Sequence, residues 1–250
     1  KASRYHRLRR RVSLASAAWA TVFLFGLVAS GASAALRTVA EDITPDSLGR
    51  SGAVAVYVAF LALLNEVGNL PLAFYGGFVL ERRYGLSRQP LGSWLGDQAK
   101  ALGLLLVLGC GAAVILYWLI VRYPIWWWLP AGVIFSAIVI GLANLAPILL
   151  LPLFYTLKPI SREELRSRLL ALAERAGTRI IDVYEWGLGE KTNRANAALT
   201  GIGASRRILV SDTMLSHYTD DEIEVVLAHE LAHQVHGDIW TGLLFESGLT

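Results

Sequence analysis

Long apolar segments alternate with short polar ones along the first 155 residues of the chain. Four of these segments have about 20 residues or more, the length required to cross the hydrocarbon core of a bilayer. The predicted spans are residues 13–36, 52–80, 101–121 and 125–154. Trp126, Trp127 and Trp128 lie at the start of the last span, as is typical of an aromatic belt at a membrane interface. The pattern predicts a mostly α-helical membrane protein with a four-span bundle over residues 13–156.

The apolar segments end near residue 156, and the periodicity that follows predicts a small α/β domain over residues 157–238. The stretch SREELRSRLLALAERAG predicts a helix that begins with a capping box of Ser161 and Glu164 and stops at Gly177. One face of this helix is apolar and consists of Leu165, Leu169, Leu172 and Ala173. The next stretch, TRIIDVYEW, is rich in β-branched and aromatic residues and predicts a strand.

Two more strands and a second helix complete the predicted domain. The stretches NRANAALTG and RRILVSD, joined by the turn-like IGAS, are typical of a hairpin. Thr219 and Glu222 form the pattern of a second capping box, and Asp220 and Asp221 favour a helix start through the macrodipole. The predicted order is therefore helix, strands and helix, and the second helix carries a cluster of histidines.

Basic residues are unevenly distributed among the loops. Residues 1–12, predicted as a basic N-terminal segment, contain Arg4, Arg7, Arg9, Arg10 and Arg11. The loop RTVAEDITPDSLGRS is poor in basic residues, whereas the next loop, ERRYGLSRQPLGSWLGDQAK, is basic again. The positive-inside rule therefore predicts that the N-terminus and the α/β domain face the cytoplasm. The small-residue run GASAA leaves open a second interpretation, in which the first span is a cleaved secretory signal.

Polar residues interrupt the second predicted span. Asn65, Glu66 and Asn69 lie at membrane depth and are followed by Pro71. A carboxylate at that depth is energetically costly, so it is a candidate functional group by default. The alternative is that Glu66 bonds to a neighbouring helix or lies near the interface, and the sequence leaves both interpretations open.

The composition narrows the possible classes of function. Charged residues make up 17% of the chain, against about 25% in soluble domains, which agrees with a membrane protein. Cys110 is the single cysteine, so a disulfide framework and a cysteine-rich metal site are excluded. The formal net charge of +3 is modest, and we expect a lipid bilayer but no nucleic acid among the partners.

Three of the five histidines lie in the stretch VVLAHELAHQVHGD, residues 225–238. Positions i and i+4 share one face of a helix, so His229 and His233 can direct both imidazoles at one Zn²⁺. Glu230 then lies beside the open coordination position, where it can accept a proton from water. The pattern predicts zinc-dependent hydrolysis of peptide bonds. A solvated helix face with incidental histidines is the alternative.

The other ligands of such an ion are harder to identify. His236 lies seven residues from His229, about 10 Å along the helix axis, and cannot share one ion with both histidines. Glu246 lies too far along the chain to reach the ion, and the spacing of Asp212 and His217 does not favour either residue.

We expect the third protein ligand beyond Thr250. Residues 239–250 predict the start of a fifth span, at which the chain is truncated. A catalytic zinc site needs three protein ligands, so residues 1–250 alone are expected to be inactive.

Four stretches, in order along the chain, resemble the type I CAAX prenyl protease family of integral-membrane zinc metalloendopeptidases. They are ERRYGLSRQ, LPLFYTLKPI, NRANAALTGIGASRRILVSDTML and HELAH. The resemblance implies a zincin-like domain in which His229 and His233 bind Zn²⁺ and Glu230 is the general base. It also implies that the strand around Asn196 and Ala197 pairs with the substrate backbone, and that a glutamate on a later helix completes the metal site.

The stretch HQVHGD departs from the eukaryotic members of that family and is closer to bacterial relatives. The resemblance therefore implies a protease of the bacterial inner membrane that acts on peptides or membrane proteins, with its active site on the cytoplasmic side. General quality control of membrane proteins is an alternative to prenylated substrates. Two further alternatives are a membrane sensor with an HExxH segment in a cytoplasmic loop and a non-catalytic scaffold that retains the motif.

Overall fold

A computed structural model describes residues 2–145, 149–201 and 206–235 of the chain. Its contacts divide the chain into two compact units, residues 1–137 and 138–250. The first unit is helical. The helices are α1 (Ala2–Ala29), α2 (Ala32–Ile43), α3 (Gly49–Phe74), α4 (Leu80–Arg83), α5 (Leu91–Arg122) and α6 (Trp128–Leu145), the last of which extends into the second unit. Within the described ranges, three helical stretches are long and apolar enough to cross a membrane: Ser3–Ala29, Asp46–Arg83 and Leu91–Arg122.

The first predicted span is divided between two helices. The helix is interrupted between α1 and α2 at Gly31, whose φ of 74° lies in the left-handed region that favours glycine. The apolar helix that is long enough to cross a membrane is Ser3–Ala29, and residues 32–36 of the predicted span belong to α2. Residues 2–12, predicted as a basic N-terminal segment, form the first three turns of α1.

The second predicted span is continuous but irregular. Pro71 lies inside α3, where it lacks the backbone N–H that would complete the helical hydrogen-bond ladder. A π-helical segment, Tyr75–Val79, follows and leads directly into α4.

The fourth predicted span, residues 125–154, corresponds to α6 and to the short helix α7 (Leu151–Phe154). Residues 146–148 lie outside the described part of the chain. The continuity of this span therefore stays a prediction.

Small residues allow α1 and α3 to approach closely. A Cβ atom added at Gly68 would lie 1.8 Å from Cζ2 of Trp19, and one at Gly76 would lie 2.9 Å from Cγ1 of Val12. Trp19 also donates a hydrogen bond from Nε1 to the backbone oxygen of Asn65, at 3.3 Å. Close contact at small residues is the usual way in which membrane helices pack, since burial against lipid offers little additional driving force.

The polar residues of the second span lie beside this contact. The side-chain oxygens of Asn65 and Asn69 are buried and have no hydrogen-bond partner among the described residues. Glu66 is partly buried, and no ion pair or hydrogen bond joins its side chain to another described residue. The role of Glu66 therefore stays open between the two interpretations given above.

The second unit contains a four-stranded sheet. Its strands are β1 (Leu157–Pro159), β2 (Val183–Trp186), β3 (Ala197–Thr200) and β4 (Arg207–Ser211), in the spatial order β1-β2-β4-β3. β2 and β4 are parallel, and the other two pairs are antiparallel. The predicted hairpin is confirmed, with Ala197 opposite Val210. The predicted strand TRIIDVYEW is shorter in the structure, and β1 was not predicted.

Three helices accompany the sheet: α8 (Glu163–Arg175), α9 (Asp212–His217) and α10 (Asp220–Val235). α10 packs against α8, α9 and β3, and α8 also contacts β2. Their apolar faces and the sheet form one core. Its fully buried side chains include Leu165, Leu169, Val183, Ile208, Val210, Ile223 and Leu227.

The end of α8 was predicted correctly and its start was not. The chain reverses at Gly177, with φ of 68°, and the N–H of Thr178 donates to the oxygen of Ala173 at 2.9 Å. The predicted capping box of Ser161 and Glu164 is absent. The N-cap residue is Arg162, which makes no side-chain cap and instead donates to Leu215 and to Asp220 at the start of α10.

We expect Gly68→Ala to lower the free energy of unfolding by about 1–3 kcal/mol, because the added methyl group overlaps the Trp19 ring and forces α1 and α3 apart. Thermal unfolding of the full-length protein in detergent measures the change. Gly26→Ala is the matched control, since a Cβ atom there has no neighbour within 4 Å. If both variants unfold at the same temperature, the close contact does not determine the packing of α1.

Candidate active site

The histidine motif lies in the second half of α10. The helix extends from Asp220 to Val235 and includes His229, Glu230 and His233 without a break. The His229 side chain is exposed and that of Glu230 is partly buried. His233 is placed by its helical backbone only. His236 and Glu246, like the predicted fifth span, lie outside the described residues.

The two histidine positions of the motif lie on the side of α10 that faces away from the core of the domain. Ile223, Leu227 and Leu231 are at most 2% exposed and form a stripe with a spacing of four residues. At 100° per residue, positions 229 and 233 lie about 160° and about 120° from the centre of that stripe and about 6 Å apart along the axis, whereas position 230 lies about 60° from the centre. A histidine that serves only to fill a core would lie on the stripe instead. The helix is therefore compatible with a metal held by residues 229 and 233, one turn apart.

The start of α10 is capped as predicted. The N–H of Thr219 donates to Oε2 of Glu222 at 2.8 Å, and the N–H of Glu222 donates to Oγ1 of Thr219 at 3.4 Å. The hydrogen bonds from the backbone and the hydroxyl of Thr219 favour the charged carboxylate and lower the pKa of Glu222 below its ordinary value. The reciprocal pair satisfies two backbone donors at the helix start and determines where α10 begins.

Charged pairs connect α10 to α8. Arg168 donates to Glu224 at 2.5 Å and to Asp221 at 2.6 Å, and Arg162 donates to Asp220 at 2.8 Å. These hydrogen bonds raise the pKa of Arg168 above its ordinary value. Each exposed pair contributes little alone, but the three together act on one turn of α10 and limit its rotation about its own axis. That rotation decides which way His229 points.

Two side chains just before α10, the carboxylate of Asp212 and the imidazole of His217, have hydrogen-bond partners of their own. The carboxylate of Asp212 accepts hydrogen bonds from the N–H groups of Leu188, Gly189 and Thr213, at 2.8–3.0 Å. Nδ1 of His217 lies 2.8 Å from the backbone oxygen of Thr213. In the described ranges, no group of three or more His, Cys, Asp or Glu side chains could hold a metal ion. The spacing of Asp212 and His217 does not favour either residue as a ligand, and the identity of the third ligand stays a prediction.

The role of Asp212 was not predicted. It holds the loop after β2 against the start of α9, and a Cβ atom at Gly189 would lie 3.0 Å from its Oδ2. Ser211, the N-cap of α9, accepts from the N–H of Met214 at 3.1 Å. The only available signal was the pair Ser211–Asp212 at the end of a predicted strand, a pattern typical of helix caps.

β3 forms one edge of the sheet beside α10. The N–H of Ser211 donates to the oxygen of Asn196 at 2.9 Å, so residues 196 and 211 form a hydrogen-bonded pair. Such pairs alternate along an antiparallel ladder, so the backbone groups of Ala197 and Leu199 point away from β4. The backbone of Asn196 is used within the hairpin, whereas that of Ala197 is directed at the open edge. The Asn196 side chain is exposed.

Comparison with known proteins identifies the family. The profile described as "CAAX prenyl protease N-terminal, five membrane helices" matches residues 1–156, and that of peptidase family M48 matches residues 159–250. The chain belongs to the M48 family. The resemblance found in the sequence is thereby confirmed, and membership implies a metal cofactor. With its three apolar helices, this M48 chain is part of an integral membrane protein.

Two curated relatives show how much of a related protein this M48 chain covers. The uncharacterized metalloprotease YhfN of Bacillus subtilis is 32% identical over 88% of this chain and 50% of its own length. CAAX prenyl protease 1 of Saccharomyces cerevisiae is 29% identical over 77% of this chain and 43% of its own length. The chain thus spans about half the length of the curated relatives that it matches.

A solved structure supports the fold class. The crystal structure of S. mikatae Ste24p matches with a TM-score of 0.84 and 22% identity, over 97% of this chain and 57% of that one. At this identity the similarity concerns the fold alone. It confirms the prediction of a helical membrane protein with a small α/β domain.

Acidification should loosen the start of α10 through Glu222. The pKa of Glu222 is lower in the folded protein than its ordinary value of 4.5. The cap therefore stabilises the helix fully above pH 4.5, and this stabilisation is lost as the pH falls through the lowered pKa of the folded protein. We expect the protection of amides in α10 against hydrogen exchange, expressed relative to the intrinsic rate at each pH, to fall on acidification more in the wild type than in Glu222→Gln, whose side chain has no carboxylate to protonate. Mass spectrometry of peptides from α10, compared at each pH, measures the difference.

The matched control is Glu164→Gln. Glu164 occupies the same position in the capping box that α8 does not form, and its side chain has no hydrogen bond or ion pair among the described residues. An equal pH response in wild type and Glu222→Gln would show that the cap does not determine the stability of α10.

Proposed function

We propose that the protein is a membrane-embedded zinc endopeptidase that cleaves peptide bonds of membrane-associated proteins or peptides. One observation carries the proposal: α10 is a regular, capped helix that turns positions 229 and 233 away from the core and places Glu230 at the margin of the buried stripe. His229 and His233 would hold the zinc ion, and Glu230 would act on water beside it. Bound zinc supplies a Lewis acid that acidifies water and polarises the scissile carbonyl.

Glu230 moves the protons of the reaction. Its carboxylate accepts a proton from the attacking water, whose oxygen forms a bond to the carbonyl carbon of the substrate. The same carboxyl group then donates that proton to the amide nitrogen as the carbon–nitrogen bond breaks and the amine leaves. Partial burial of the Glu230 side chain suits both steps, since fewer competing waters solvate the carboxylate.

The open edge of β3 would bind the substrate as an additional strand. Ala197 and Leu199 direct backbone donors and acceptors at this edge, and α10 lies beside the same strand. The exposed Asn196 side chain can hydrogen-bond an extended peptide at the start of the strand. Binding through the main chain reads little of the substrate sequence, so this mode of binding would accept peptides of varied sequence.

The third zinc ligand is proposed to be a glutamate beyond Thr250. The carboxylate of Asp212 is already used by three backbone N–H groups, and the spacing of His217 does not favour it as a ligand. Two ligands hold a catalytic zinc ion poorly, so the histidines would need this additional carboxylate for stable binding.

We further propose that the active site faces the cytoplasm of a bacterium, at the inner membrane. The start of α1 would lie on the cytoplasmic side, because the side chains of Arg4, Arg7, Arg10 and Arg11 are all exposed there.

The names of the relatives bear on the substrate. Several relatives are named CAAX prenyl protease, whereas the relative from Bacillus subtilis is named only as a metalloprotease. We therefore keep two proposals for the substrates: prenylated proteins, or membrane proteins that are degraded in quality control.

The full-length variant Glu230→Gln is expected to lose proteolysis by about a hundredfold or more, because the amide cannot accept a proton from water. It should still bind one equivalent of zinc, since Glu230 is not a ligand. Cleavage of a quenched fluorescent peptide and metal analysis of the purified protein measure the two properties. Glu164→Gln serves as the control and should retain full activity. Full activity of Glu230→Gln would remove Glu230 from its role.

Two neighbouring alanines test the substrate edge. Proline at position 197 removes an N–H that points to the open edge, so Ala197→Pro should raise KM by about tenfold while the protein still folds. Proline at position 198 removes an N–H that bonds to β4, so Ala198→Pro should lower the stability of the domain instead. Peptide kinetics and thermal unfolding distinguish the two effects. Unchanged KM in a folded Ala197→Pro variant would contradict strand addition at β3.

A further inference from the structure

A cavity of about 780 Å³ lies among α1, α2, α3 and α5, within the first unit. This volume falls in the range of small-molecule sites, about 300–1,000 Å³. Part of its wall is apolar and consists of Val28 at the end of α1 and Ala53 and Val54 near the start of α3. The cavity therefore lies at the ends of three apolar helices, far along α1 from the N-terminal arginines.

Charges of both signs line the same cavity. Nε of Arg37 lies 2.9 Å from Oε1 of Glu41, and both side chains are at least half exposed. Arg50, at the start of α3, has neither an ion pair nor a hydrogen bond to any side chain that the structure describes. The exposed pair within α2 is weak, so a ligand can compete for either partner, while the guanidinium of Arg50 is available without competition.

Hydroxyl groups add to the polar side. Oγ of Ser33 lies 2.7 Å from the hydroxyl oxygen of Tyr57, and Tyr117 from the last turns of α5 also lines the cavity. The site thus combines two guanidinium groups, one carboxylate and several hydroxyl groups with an apolar wall. Four separate helices contribute these side chains, so their arrangement depends on the tertiary fold.

We propose that this cavity binds the headgroup of a phospholipid that carries both a phosphate and a primary ammonium group. Arg50 and Arg37 match the phosphate, since guanidinium groups bind phosphate oxygens in bidentate geometry. Glu41 matches the ammonium group and disfavours a headgroup with negative charge alone. The acyl chains lie along Val28, Ala53 and Val54, where the apolar helix surfaces continue into the bilayer.

Competition among lipids tests the proposal. The full-length protein is equilibrated in detergent with equal amounts of phosphatidylethanolamine, phosphatidylglycerol and phosphatidylcholine with identical chains, and bound lipids are counted by native mass spectrometry. We expect phosphatidylethanolamine to be retained most, and Arg50→Gln to reduce its retention by about fivefold. Glu41→Gln releases Arg37 from its pair and should shift the preference to phosphatidylglycerol.

A matched variant separates the cavity from general attraction of arginine to lipid. Arg7→Gln removes an exposed arginine at the opposite end of α1 and should leave the retention of phosphatidylethanolamine unchanged. Equal retention of the three lipids by the wild type overturns the proposal. So does an equal loss in Arg50→Gln and Arg7→Gln.

A soluble headgroup separates the lipid from other phosphates. Glycerophosphoethanolamine has the same charged groups but no acyl chains, so at the same concentration it should not displace the bound lipid. Displacement at equal concentration would show that the site recognises a soluble phosphoester and would overturn the assignment to a lipid.

Discussion

The burial of one stripe of α10 is the contact on which the candidate site depends. Ile223, Leu227 and Leu231 enter the core beside α8 and β3, and each is almost completely removed from solvent. Burial of three such side chains contributes on the order of 5–8 kcal/mol before the cost of ordering them. No other rotation of the helix buries the same three residues, so positions 229 and 233 are directed away from the core while Glu230 lies at the margin of the buried stripe.

Polar interactions then refine what burial determines. The reciprocal hydrogen bonds of Thr219 and Glu222 define the first turn of α10, and Arg162 and Arg168 on α8 hold its acidic residues. These groups lie at the start of α10, at least one turn before His229. They are positioning residues, because an error of one residue in the helix start would turn the histidine pair by about 100°.

The membrane unit depends on a different constraint, which is how closely two backbones can approach. Gly68 receives the ring of Trp19 and Gly76 receives Val12, while Gly31 separates α1 from α2. The same separation creates the cavity that contains Arg37 and Arg50, since a continuous first helix would carry α2 away from the start of α3. Small residues in this unit thus determine both helix packing and the position of charged groups.

The sequence alone determined most features that depend on local spacing, although the capping box expected at Ser161 does not form. The i, i+4 relation of His229 and His233, the capping box of Thr219, the stop at Gly177 and the hairpin all involve residues close in the chain, so their pattern is readable without the fold. Only the tertiary structure decided which strands are neighbours and that β3 is an edge. It also decided which charges line the cavity, and that α8 begins at Arg162, which bonds to α10, and not at a Ser161 cap. These features join residues that are far apart in sequence, and the free energy that selects them comes from burial and long-range pairing, which no local pattern contains.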